Sequence, residues 1–280
     1  GVRLVGSEMC IRDRICHGKK IGSRNKNRVN YTSFGYVTAE YSKDTYQHHK
    51  LRKQLRSQII QDILSESSVA ASDEPFFFMF SGGTASGKSS LVEAVVQGLE
   101  KGSYIEINYD LIKKMIPEYY AMIDARNKRA AELVHFESVK ITGNLFKKAI
   151  QNKYNIIYEF TLFKTDILLE RIRDLKRKNY KNLALFYSFI DVDSALKRAE
   201  DRFKKTGRYV PIDYIKSSYQ VVPKNVKDCQ AQFNDVYIAD NRSDKVSFIL
   251  AREGEEEPKI LDEKLHLEYV NIVGNENAIV

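Results

Sequence analysis

Eight consecutive residues, Gly82-Gly83-Thr84-Ala85-Ser86-Gly87-Lys88-Ser89, have the spacing G-x-x-x-x-G-K-[ST]. Glycines at this spacing let successive backbone N–H groups converge on one point and cradle phosphate oxygens. The lysine adds a charge that reaches β- and γ-phosphates, and the Ser89 hydroxyl is a hard oxygen ligand for Mg²⁺. A helix that opens at Lys88, with Ser89 and Ser90 in its first turn, points its positive dipole end at the same anions. Residues 82–90 therefore read as a nucleotide-binding loop. The loop does not say whether a terminal phosphate goes to water, to another molecule, or stays where it is.

Three further groups carry chemistry. Asp110 follows the apolar segment 104–108 and could accept a hydroxyl proton or orient an acceptor; it could equally serve as the N-cap of the next helix, and both readings stay open. Glu159 and Thr161 close another apolar run, Asn155–Thr161, and place a carboxylate and a hydroxyl where a substrate or the water around Mg²⁺ would lie. Arg198 and Arg202 are four apart on a helical pattern, and Arg208 follows a glycine turn at Gly207. Planar guanidinium groups on such a lid match phosphate oxygens.

Parallel-sheet geometry would bring these groups together. Phe76–Phe80 is a continuous apolar run of the kind buried on both faces of a parallel sheet. Further strand patterns lie at 104–108, 155–159, 183–189, 235–239 and 246–251, with helical patterns at 88–100, 110–117, 127–151, 166–178 and 193–205. This alternation predicts an α/β, three-layer fold with a mostly parallel sheet, flanking helices and a helical lid. Ahead of it, residues 46–65 place Leu51, Leu55, Ile59 and Ile63 on one helical face. The seven basic residues of 164–181 are expected on the exposed face of a sheet-covering helix.

The chain has 280 residues, 43% hydrophobic and 29% charged, with a net charge of +8, which excludes wholesale disorder. No run of apolar residues is long enough to span a bilayer. Three cysteines offer no disulfide framework, which fits a reducing, cytoplasmic setting. Residues 1–14 resemble a translated sequencing adapter, 15–45 read as a basic flexible arm, 46–252 as the catalytic domain and 253–280 as a C-terminal tail with a peripheral helix. The basic arm keeps a rival reading open: a nucleotide-dependent ATPase or binding module that touches nucleic acid.

Taken in order, Gly82–Ser89, Asn108-Tyr109-Asp110 with Ile116-Pro117-Glu118-Tyr119, His135-Phe136-Glu137-Ser138, Glu159-Phe160-Thr161, Arg198…Arg202…Gly207-Arg208, Val222-Pro223-Lys224-Asn225 and Asp240-Asn241 resemble the zeta-toxin family of P-loop kinases. The resemblance implies a fold like that of nucleoside-monophosphate kinases, ATP or GTP with Mg²⁺ as cofactors, and transfer to the sugar 3′-hydroxyl of UDP-N-acetylglucosamine, which poisons cell-wall synthesis. It implies that Lys88 and Ser89 hold the triphosphate and Mg²⁺, that Asp110 is the general base, and that Asn108, Glu137, Glu159 and Thr161 bind the acceptor. Arg202 and Arg208 best match the arginines that contact the transferred phosphate, with Arg198 as the alternative. An antitoxin protein is the implied partner; neither a membrane nor nucleic acid is expected in that role. Asn108 and Phe160 depart from the family's usual aspartate and glycine, which reshapes the acceptor pocket and leaves another acceptor, such as a nucleic-acid end or an antibiotic, open.

Overall fold

The structure is a computed structural model that describes residues 50–67, 70–100, 102–243, 245–275 and 278–279. The adapter-like segment 1–14, the basic arm 15–45 and the first residues of the expected helix at 46–49 lie outside the described residues, as does the side chain of Leu51.

Seven strands form one sheet: β1 (Phe76–Gly82), β2 (Ile105–Asn108), β3 (Ile156–Glu159), β4 (Asn182–Phe189), β5 (Asp235–Asp240), β6 (Ser247–Glu253) and β7 (Lys259–Ile260). Their order is β2-β3-β1-β4-β5-β6-β7. The first five are parallel, and β6 and β7 add antiparallel at one edge. Strand alternation divides the core between the two faces of the sheet. Phe77, Met79, Ile107 and Tyr158 bury toward one face, and Phe80, Ile157, Ala184 and Phe186 toward the other. A sheet covered on both sides makes the continuous apolar run of β1 physically reasonable.

Ten α-helices flank the sheet among the described residues: α1 (Lys50–Glu66), α2 (Lys88–Val96), α3 (Tyr109–Met115), α4 (Pro117–Asp124), α5 (Ala130–Leu133), α6 (His135–Gln151), α7 (Asp166–Arg177), α8 (Val192–Thr206), α9 (Ile212–Cys229) and α10 (Glu263–Val273). Several differ from the sequence pattern for local reasons. Ile116 turns extended before Pro117 (φ −84°, ψ 120°), so the expected helix 110–117 ends at Met115 as α3, and Pro117 opens a further helix, α4, that the pattern did not show. The expected helix 127–151 breaks at buried Val134 into α5 and α6. Helix α9 carries Pro223 inside it, which hid it from pattern reading; its buried Ser218, Val222 and Val226 hold it on the core.

Three arginines of the flanking helices are buried, one of them, Arg171, from the segment 164–181 expected on an exposed face. Arg52 and Arg56 of α1 share the buried face with Leu55 and Ile59, and Arg52 is 1% exposed. Arg171 of α7 is buried over the rings of Phe146 and Tyr158, at 4.6 and 5.0 Å from their centroids. After β6, Tyr269 of α10, Ala278 and Ile279 join the main core, so this segment is packed rather than peripheral. No helix among the described residues is long and apolar enough to cross a membrane.

Candidate active site

Sheet register brings the chemistry to the carboxyl ends of the strands, where ligand crevices of parallel α/β sheets lie. Phe80 and Asn108 both align with Glu159, and Gly82 aligns with Ser188. The loop after β1 then turns into α2. Gly87 caps that helix with φ +85°, a conformation that favours glycine, and a Cβ there would meet Asn241 Nδ2 at 2.3 Å. Lys88 Nζ donates to the carbonyls of Gly82 and Gly83 at 3.0 and 2.9 Å. Burial, opposed by the charges of Glu159 and Asp110, pulls the Lys88 ammonium down to about 8.

Ser89 Oγ, in the first turn of this helix, donates to Glu159 Oε2 at 3.1 Å, and Asn108 Nδ2 donates to Glu159 Oε1 at 2.5 Å. Burial, reinforced by the charge of Glu106, raises the Glu159 carboxyl to about 7 despite Lys88, Ser89 and Asn108. Asn108 has a second task. Its Oδ1 accepts from the backbone N–H of Asp110 at 2.8 Å and of Leu111 at 3.4 Å, capping α3. The N-cap reading of Asp110 is therefore corrected: Asn108 caps the helix, and the Asp110 carboxylate faces the site.

The Asp110 carboxylate pairs with Arg208 and lies 3.8 Å from Lys113 Nζ. Desolvation pushes this carboxyl up, but the charges of Arg208 and Lys113 and the Arg208 hydrogen bond outweigh it and hold it below the usual carboxylate range. Helix α8 ends at Gly207, whose φ of +72° reverses the chain and whose added Cβ would come within 2.9 Å of the Ile123 carbonyl. That turn presents Arg208 to Asp110. Arg202, one turn earlier, is drawn down to about 10 by burial and by Arg208, and its Nε and Nη2 are buried without hydrogen-bond partners. His135, whose imidazole is lowered by burial and by Lys113, and Tyr119 border the same group.

Lys88, Ser89, Asn108, Asp110, Glu159, Arg202 and Arg208 thus form one linked site. Arg198, the alternative to these two arginines, is held differently. Its Nη2 donates to the carbonyls of Asn241 and Arg242 at 2.7 and 3.2 Å, and its Nη1 lies 3.2 Å from where a Cβ on Gly87 would stand. Glu137 stands apart: its carboxylate is gripped by Arg52 and, at 3.3 Å, by Arg56, and it is 1% exposed. The backbone carbonyl of Thr161 accepts from Ser81 Oγ at 3.3 Å, and the preceding Phe160 packs near Tyr109 and Tyr158.

Residues whose site roles pattern reading missed are Lys113, Ser188 and Ser218. Thr84 N–H donates to Ser218 Oγ at 3.0 Å and Ser188 Oγ donates to the Ser86 carbonyl at 2.8 Å. No spacing rule signals a loop support that comes from β4 or α9. Among the described residues, no cluster of three or more His, Cys, Asp or Glu side chains could hold a metal ion. The Ser89–Glu159 pair does offer hard oxygen donors of the kind Mg²⁺ takes alongside phosphate oxygens.

A zeta toxin family model matches residues 60–253. The Toxin zeta of Enterococcus hirae is 25% identical over 154 residues, covering 54% of this chain and 54% of that protein. The Toxin zeta of Streptococcus pyogenes is 25% identical over 162 residues, covering 56% and 55%. The chain thus spans about half the length of the curated relatives it matches. A chain from the structure of the PezAT chromosomal toxin–antitoxin system of Streptococcus pneumoniae superposes with a TM-score of 0.54 at 18% identity, covering 73% of this chain and 80% of that one. A chain from the AvrRxo1-ORF1:AvrRxo1-ORF2 structure with ATP gives 0.63 at 14% identity, covering 88% and 82%. Those superpositions carry the fold, and the family match carries the lineage: this chain belongs to the zeta toxin family.

Proposed function

We propose that this protein is a phosphotransferase that moves the γ-phosphate of ATP or GTP to a hydroxyl of a small acceptor, a nucleotide-sugar such as UDP-N-acetylglucosamine, and that it acts in the cytoplasm as the toxin of a toxin–antitoxin pair. The observation that carries the reading is Arg202. A buried guanidinium with two unpartnered nitrogens is costly to keep, and beside Arg208 and Lys88 it makes a cationic pocket at the mouth of a phosphate loop. Phosphate oxygens satisfy all three groups. A nucleotide switch needs neither these arginines nor a carboxylate opposite them.

In this reading, residues 82–90 bind the triphosphate, and Ser89 with Glu159 would hold Mg²⁺. Mg²⁺, when bound, neutralises charge on the phosphate oxygens. Lys88, Arg202 and Arg208 stabilise the charge that builds on the transferring group. Asp110 takes the acceptor's hydroxyl proton once Arg208 has turned from its carboxylate to phosphate. Asn108 orients Glu159, and Thr161 with Glu159 contacts the acceptor, whose pocket Phe160 and Tyr109 line. Glu137, saturated by arginines, shapes that pocket through α6 rather than by direct contact. The toxin and antitoxin roles rest on family membership, and residues 46–252 would carry the activity.

The test is to incubate the protein with terminally labelled ATP and a bacterial metabolite extract and to identify labelled products by mass spectrometry. A labelled nucleotide-sugar is expected. Labelled inorganic phosphate alone, stimulated by nucleic acid and suppressed by salt, would favour an ATPase and overturn the transfer reading.

A further inference from the structure

The chemistry above uses the phosphate loop but not what holds it in shape. Asn241, at the end of β5, is 3% exposed. Its Nδ2 donates to the Gly87 carbonyl at 2.8 Å, to the Ser86 carbonyl at 3.1 Å and approaches Ser188 Oγ at 3.2 Å. A trans peptide points its C=O and its N–H in opposite directions. Holding the Ser86 carbonyl toward Asn241 therefore aims the Gly87 N–H the other way, and holding the Gly87 carbonyl does the same for the Lys88 N–H. Those are the N–H groups that a phosphate at the start of α2 would meet. The amide of Asn241 sits close under Gly87, 2.3 Å from where a Cβ would lie, so a side chain at position 87 would displace it.

The same residue is tied to the lid. Arg198 of α8 donates through Nη2 to the backbone carbonyls of Asn241 and Arg242. Arg242 in turn donates to Asp240 and to Glu268 of α10. The helix that carries Arg202 is thereby fastened to the residue that orients the loop.

We propose that Asn241 is a positioning residue that presets the Ser86–Gly87–Lys88 peptides for phosphate, and that Arg198 links the root of the lid helix to it, so that loop and lid keep one fixed spacing. The inference rests only on nucleotide binding at the proposed site, not on the transfer step. An amide is required here. A carboxylate of the same shape would set like partial charges against three oxygens.

The test reads binding of a fluorescent ATP analogue alongside the urea midpoint of the nucleotide-free protein. Asn241→Ala is expected to weaken nucleotide affinity about 3–30-fold, since the Ser86 and Gly87 carbonyls each lose one donor while Ser188 Oγ stays on the first and the Ser90 and Leu91 N–H groups on the second. Nucleotide KM should rise while acceptor KM stays put, a split that general destabilisation does not produce. Asn241→Asp is expected to bind more weakly still. Ser188→Ala, which removes one hydroxyl from the same carbonyl and is the milder variant should the Asn241 variants not fold, is expected to weaken binding a few-fold. Arg198→Ala should weaken binding in the wild-type background and far less in the Asn241→Ala background, because a shared relay is non-additive. Unchanged affinity in Asn241→Ala, or in Ser188→Ala where the former does not fold, overturns the positioning role. Fully additive losses would mean that Arg198 touches nucleotide itself and overturn the link. A wild-type protein that binds nucleotide without transferring phosphate sinks the phosphotransferase reading and leaves this one standing.

Discussion

Two arginine–carboxylate clusters lie in this molecule, built from the same groups and put to opposite uses. In one, Arg52 and Arg56 of α1 meet Glu118 of α4 and Glu137 of α6, two positive charges against two negative, with both Arg52 and Glu137 1% exposed. In the other, Arg202, Arg208 and Lys113 surround Asp110, three positive against one negative, with the Asp110 side chain 40% exposed. Among the described residues the first is balanced and dry, and it orders α1 against the body of the protein. The second is unbalanced, and two of its guanidinium nitrogens lack partners. Balance, more than residue type, separates a structural ion network from a binding site.

Breaking the unbalanced cluster should cost chemistry and little stability. Arg202→Ala is expected to lower transfer by roughly 10³-fold and leave the melting temperature within a few degrees of wild type; a large thermal loss with modest kinetic change would reverse the comparison. Asp110→Asn should keep ATP binding and reduce transfer by about 10²–10⁴-fold, measured by turnover with labelled ATP, and unchanged turnover would remove the base assignment.

Breaking the balanced cluster should do the converse. Arg52→Ala takes a shared buried guanidinium from Glu118 and Glu137 and is expected to destabilise the fold by about 3–5 kcal/mol, read by urea denaturation, while the protein that remains folded binds nucleotide with wild-type affinity. A clear loss of nucleotide affinity would show that the two clusters are coupled.

The smallest effect concerns pH. Glu159 sits at about 7 in the folded chain against an ordinary 4.5, so the native state holds a proton that the unfolded chain has released. Its contribution to stability is full below about 4.5 and is lost as pH rises through about 7. Urea midpoints measured from pH 4 to 8 should fall across that range in wild type and fall less in Glu159→Gln. Lys88, at about 8, bounds the other side. Nucleotide affinity is expected to peak between about pH 7, below which Glu159 is protonated, and about pH 8, above which Lys88 loses its charge, as a titration series would show.

Much of this was legible in the residues. The loop at 82–89 carries its spacing, and the strand-end carboxylates follow apolar runs, so their convergence follows from parallel pairing. Arg202 and Arg208 were placed by helix period and a glycine turn. What escaped was set across the chain. In the sequence Arg198 stands as the alternative to Arg202, four residues on along one helical face; only the approach of the segment after β5 gives Arg198 carbonyls to bind. Arg52 reads as polar surface of an amphipathic helix until two glutamates from distant helices meet it. Pro223 suggests a break, yet packing of Ser218, Val222 and Val226 carries α9 through it.

Local rules therefore determined the phosphate loop, the alternation of strands and helices and the identity of the groups that could act, because each depends on spacing of a few residues and on backbone geometry. Tertiary structure decided which charges are cancelled and which are left over. Neutralisation of Glu137 depends on Arg52, 85 residues away in the chain, and the unmet need of Arg202 on burial that no short window contains, and burial sets what an unpaired charge costs.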